Sequence, residues 1–163
     1  MRILILGYGN PGRSDDGLGP LLAETVAGWG IDGVDAAWDY QLNIEHAAEL
    51  ARTDLALFAD AALEAPEPFG LTKLAPSNAT HFSTHSMPPA AVLETCRTAW
   101  GRTPPSFVMA LRGESFEMGE GLSDKAASRL EQALLFLRGV IESDDPLREL
   151  EKQLEALHQQ SLE

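Results

Sequence analysis

The sequence predicts an α/β protein: a three-layer α/β/α sandwich around a mostly parallel, twisted sheet of about five strands. Three observations predict it. Ile3-Leu4-Ile5-Leu6 is a short apolar run broken by closely spaced glycines and followed by an amphipathic stretch, which is the pattern of strand, tight turn and helix. Leu55-Ala56-Leu57-Phe58-Ala59 and Phe107-Val108-Met109-Ala110-Leu111 are almost continuously apolar, as strands covered on both faces must be. Between and after these runs the apolar residues recur at helical spacing.

Taken in order, the first strand leads to a helix carrying Leu18, Leu21, Leu22 and Val26, with Pro20 tolerated in its first turn and Gly30 placed to stop it. A second strand runs Gly33 to Trp38 and ends at Asp39, ahead of a short helix near Ile44 to Ala51. The third strand, Leu55 to Ala59, ends in Asp60. Phe69 to Leu74 follows two prolines and alternates weakly, so it reads as an edge strand open to antiparallel pairing. A polar loop, Ser77 to His85, precedes a helix begun by Pro88 or Pro89 and running to Trp100, which Pro104-Pro105 forbids from continuing. The fourth core strand comes next, then the best-marked helix, Ala126 to Ile141, with Leu130, Leu134 and Leu137 on one stripe. Ser143-Asp144-Asp145-Pro146 breaks the chain before a heptad seam of Leu147, Leu150, Leu154 and Leu157. The organisation expected is one α/β domain over residues 1–142 and a helical extension over 143–163, the latter docked on the body or forming a homodimer with a second copy.

At 163 residues the chain suits a single hydrophobic core, and no apolar run reaches the roughly 18 residues of a membrane span. A leader pattern is absent from the first residues, which places the expected location in the cytoplasm. Twelve basic residues against 25 acidic ones give a net charge of −13, which repels nucleic-acid phosphates and anionic membranes alike. Cys96 is the single cysteine, so no intrachain disulfide can form, and its apolar neighbours make it a small core residue.

Chemistry concentrates in the loop Gly7-Tyr8-Gly9-Asn10-Pro11-Gly12-Arg13-Ser14-Asp15-Asp16-Gly17-Leu18-Gly19. Its first six residues satisfy the dinucleotide pattern G-x-G-x-x-G, but Pro11 removes an amide donor and Asp15-Asp16 adds charge of the sign a pyrophosphate avoids. Gly9-Asn10-Pro11-Gly12 also resembles the opening of peptidyl-tRNA hydrolases, although the catalytic histidine of that family has no counterpart where Asp15-Asp16-Gly17 stands. From the residues alone, both acids could equally be turn and helix-capping groups.

A third similarity covers more of the chain. Gly7-x-Gly9-Asn10, Asp15-Asp16-Gly17-x-Gly19, Asp39, Phe58-Ala59-Asp60-Ala61 and Ser83-Thr84-His85 resemble, in order, the signature positions of the hydrogenase maturation endopeptidases, peptidase family M52. That resemblance implies a phosphorylase/hydrolase-like fold. It also implies a peptidase that trims the C-terminal extension from the large-subunit precursor of a nickel-iron hydrogenase after nickel insertion. The implied metal site is Asp16, Asp60 and His85, with Asp39 as a further acid of less defined role, and with Asp15 left to structure. His81 shares the polar loop and competes with His85, whereas His46 and His158 fall on helix surfaces. Two carboxylates and an imidazole suit nickel, zinc, cadmium or manganese and leave a position open for water or substrate. The resemblance implies nickel, expected as the substrate's own and used for recognition, while the motif leaves open a metal of the enzyme's own; zinc or cadmium could substitute in a crystal. No serine or cysteine nucleophile stands in a recognisable arrangement. Gln41-Leu42-Asn43, beside Asp39, is expected to line the cleft. A nickel-dependent binding module for a maturing subunit is the non-enzymatic alternative.

Overall fold

The computed structural model describes residues 1–77 and 86–162. Its elements in chain order are β1 (Ile3–Tyr8), a 3-10 turn at Ser14–Gly17, α1 (Leu18–Gly28), β2 (Val34–Asp39), α2 (His46–Leu50), β3 (Leu55–Ala62), β4 (Phe69–Leu74), α3 (Pro89–Trp100), β5 (Ser106–Arg112), α4 (Asp124–Ile141) and α5 (Pro146–Leu162). The five strands form one sheet in the order β2-β1-β3-β5-β4, with β4 antiparallel to β5 and every other pairing parallel. The expected sandwich and its antiparallel edge are both present.

Side chains alternate across the sheet and give each layer its own core. Ile3, Ile5, Leu57, Phe107 and Met109 point to the face covered by α1, α4 and α5, where Leu18, Leu22, Leu130, Leu137 and Leu150 meet them. Leu4, Leu6, Ala56 and Phe58 point to the opposite face, against Leu42, Leu50, Val92, Leu93 and Cys96 of the α2 and α3 layer. Cys96 is buried, as its apolar neighbours suggested, and burial holds its thiol proton more tightly than usual.

Two details differ from the sequence reading. The second helix is confined to His46–Leu50. Strand β3 does not stop at Asp60 but continues to Ala62, because residues 60–62 keep their pairing with β5 (Asp60 opposite Ala110, Ala62 opposite Arg112). Its pairing with β1 ends earlier, at Gly7 opposite Ala59, where β1 turns away into the glycine-rich loop.

The leucine seam of α5 faces its own chain: Leu150 is fully part of the core, and Leu147, Leu154 and Leu157 pack partly against it. Lys73 on β4 also pairs with Glu151 at 3.0 Å. Leu150 of that stripe is thus used within the chain. Leu150→Ala is expected to cost about 2–5 kcal/mol, the range for a truncated leucine in a close-packed core, read as a lower midpoint in urea. Among the described residues no helix is long and apolar enough to cross a membrane.

Candidate active site

The strand order locates a crevice before any side chain is considered. From β1 the chain passes to β2 on one side, whereas β3 lies on the other side of β1. Loops at such a switch point diverge, and ligands of open α/β sheets bind there, outside the carboxyl ends of the strands. Asp16, in the loop after β1, and Asp60, on β3 one residue past its last pairing with β1, both stand at that opening.

The loop reaches this position through close backbone approaches that glycine permits. Gly9 has φ +145, and a Cβ on it would lie 2.1 Å from the Asp16 carbonyl oxygen. A Cβ on Gly19 would lie 2.4 Å from the Ala59 carbonyl, so the start of α1 rests directly on β3. Asp16 is partly exposed, and its Oδ2 accepts the Asn10 amide at 2.8 Å, which closes the turn across its base.

Asp60 is the perturbed group. Burial in the sheet pushes its carboxyl up to about 6; the Ala61 amide, donating at 2.9 Å, and the Tyr8 hydroxyl counteract this, while the charge of Asp16 adds to the rise. Tyr8 neighbours Asp60 across the β1–β3 pairing on the face of Leu6 and Phe58, and burial followed by the Asp60 charge raises its phenol well above the ordinary value. The Asp16 carboxylate, close enough for its charge to raise the proton affinity of Asp60, and Asp60 itself, partly shielded from water, form a donor pair suited to a cation. Among the described residues no third histidine, cysteine or acid joins them. The expected third ligand, His85, and its competitor His81 lie outside the described residues.

Asp39 is not part of this pair. It lies opposite Tyr8 in the β1–β2 register, two strand spacings or about 10 Å from Asp60. Its Oδ1 accepts the Tyr40 amide at 2.7 Å, and its Oδ2 is 3.9 Å from His46 Nε2. His46 is mostly buried rather than on a helix surface, because its Nδ1 accepts the Asn43 amide at 3.0 Å and that leaves the Nε2 proton to face Asp39. The cleft role expected of Leu42 and Asn43 is not found. Leu42 is 1% exposed in the α2 and α3 core, with its carbonyl accepting the Met87 amide, and Asn43 Oδ1 accepts the Glu45 amide ahead of α2.

Asp15 is fully buried and holds a second loop in place. Its carboxylate accepts the amides of Glu114 (2.7 Å), Ser115 (3.1 Å) and Ser123 (2.7 Å) and the Ser123 hydroxyl (2.8 Å). Burial alone would raise its pKa, but these bonds outweigh it and hold the group below the usual carboxylate range. Backbone bonds from Ser14 to Gly119 and from Gly119 to Gly12 complete the join.

Among solved structures, the chain is similar to the hydrogenase maturating endopeptidase HybD from E. coli, with 26% identity and a TM-score of 0.70 over 88% of this chain and 94% of that one. The chain has the fold of the hydrogenase maturation proteases and is similar to them in its opening signature. The maturation protease HycI from Thermococcus kodakarensis KOD1 superposes with a TM-score of 0.69 at 22% identity, covering 87% of this chain and 93% of that one. No protein-family model and no curated protein matches the chain.

Tyr8 went unremarked in the sequence. Its signal was available in retrospect: it is the single aromatic residue between the glycines that end β1, one position past the residue paired with Ala59.

Proposed function

We propose that the protein is an endopeptidase that removes the C-terminal extension of a nickel-iron hydrogenase large-subunit precursor after nickel insertion. The observation that carries this reading is the pairing of Asp16 with Asp60, whose carboxyl is raised to about 6, at the switch point of a maturation-protease fold. The substrate's nickel would be held by Asp16, Asp60 and His85, and when bound it supplies Lewis-acid polarisation of the scissile carbonyl. Through an oxygen that the nickel leaves free, Asp60 would take a proton from water. Tyr8 lies beside the Asp60 carboxylate and favours its charged form. Asn10 holds Asp16 through its amide.

The test is to mix the protein with a nickel-loaded large-subunit precursor and measure the precursor's mass. Loss of a short C-terminal piece, abolished in Asp16→Asn and His85→Ala, is the expected outcome. Stable binding with no loss of mass would instead identify a nickel-dependent binding module.

A further inference from the structure

A cleft of about 530 Å³ opens beside the acid pair and has no role in the chemistry just described. It begins at Asn10, the residue whose amide Asp16 holds, so it adjoins the loop that carries Asp16. One wall is Pro20, Leu21 and Glu24 of α1; the other is Trp38 and Tyr40 at the end of β2, the sheet's edge strand. Glu120 and the neighbouring loop close the far end, and that loop is fixed by its bonds to Gly12, Ser14 and Asp15.

The walls are built rather than incidental. Trp38 Nε1 donates to Glu24 Oε1 at 2.9 Å, and the Trp38 and Tyr40 rings meet edge to face at 5.5 Å and 76°. Leu21 and Tyr40 are 37% and 60% exposed, so apolar surface faces water along the groove. The charged residues of its lining are Glu24 and Glu120, with no lysine or arginine among them. Glu24 spends one carboxylate oxygen on Trp38, and the other makes no bond among the described residues. Arg13, at the rim, is turned to the Met118 sulfur at 3.6 Å.

We infer that this groove is the specificity subsite for the substrate polypeptide. It holds an extended segment adjoining the scissile bond, with an apolar side chain against Leu21 and Trp38 and a lysine or arginine side chain reaching Glu24 and Glu120. The charge follows from the carboxylate lining, and the extended form follows from a groove that runs beside an edge strand. This rests on the peptidase reading above.

The experiment is steady-state cleavage of the nickel-loaded precursor by the wild-type protein, Leu21→Ser, Glu120→Lys and the double variant. Both positions are exposed and Glu120 makes no side-chain bond among the described residues, so the thermal midpoint should not move. The double variant should raise KM by about 10-fold or more while kcat stays within about twofold, as loss of binding made equally in ground and transition states requires. Glu120→Asp should restore most of the affinity, and wild-type KM should rise with added salt. A wild-type protein that cleaves, beside a double variant of unchanged KM, overturns the subsite and leaves the peptidase reading standing. A wild-type protein that leaves the precursor intact overturns both.

Discussion

Asp15→Ala is expected to lower the unfolding free energy by about 3–5 kcal/mol, the range for stripping a buried, charged acceptor from several donors at once. The carboxylate meets three backbone amides and one hydroxyl, and none of them has another acceptor within the side chain's place. Alanine would leave those amides desolvated, and it would also free Ser123, whose hydroxyl caps α4 by accepting the Ala126 amide at 3.3 Å. Asp15→Asn should fall between, because an amide nitrogen would face donors on one side. The pH dependence has a definite sign. A carboxylate held below its ordinary value of 3.8 contributes stability that is full above that value and is lost as pH falls through the folded pKa. The wild-type protein should therefore weaken below about pH 4, while Asp15→Ala, already weak, should show a flatter profile there. Urea unfolding followed by circular dichroism between pH 2 and 7 measures both. A loss under about 1 kcal/mol at pH 7 would mean that the two loops are held by their backbone bonds alone. Cleavage should fall as well, since the loop that Asp15 anchors is the one that carries Asp16.

Why Asp15 and Asp16 divide their work this way was only half legible in the sequence. The resemblance assigned Asp16 to the metal and Asp15 to structure, but local reasoning could offer Asp15 nothing better than a cap. Its partners lie 99 to 108 residues further along the chain, and no spacing rule connects such distances. The same limit explains β3. Nothing in Asp60-Ala61-Ala62 says whether the strand goes on, because the answer depends on how far β5 runs beside it. Periodicity served well where a single element decides the outcome, as in α1, α3, α4 and the two apolar core strands. It failed to separate two uses of one stripe in α5, where a seam of leucines suits a second copy or the home domain equally. Leu150, at 2% exposure, packs on the home domain. His46 was misjudged for a similar reason: its burial comes from Asp39 and Asn43, contacts that appear only once β2 and the α2 turn are folded together.

Asp60→Asn should separate activity from stability in opposite directions. Cleavage should fall by about 10²–10⁴-fold, the usual contribution of a positioned acid or base, and Asp16→Asn should lose a comparable factor. Stability should rise. A carboxyl whose folded value is about 6 against an ordinary 3.8 penalises the folded state as pH climbs through that interval, and the penalty is complete above about pH 6. An asparagine carries no charge to desolvate and still offers an oxygen to the Tyr8 hydroxyl. The metal-free variant should therefore be more stable than the wild-type protein by about 1–3 kcal/mol at pH 7, with the difference vanishing below about pH 4. Asp16→Asn should relieve part of the same penalty without touching Asp60, because its charge contributes to the raised value. A structural aspartate would behave otherwise, losing stability and activity together, as Asp15 is expected to do. Denaturation of the three variants at pH 4 and pH 7, set beside their rates on the nickel-loaded precursor, distinguishes a strained working acid from a buried anchor one residue away from its partner.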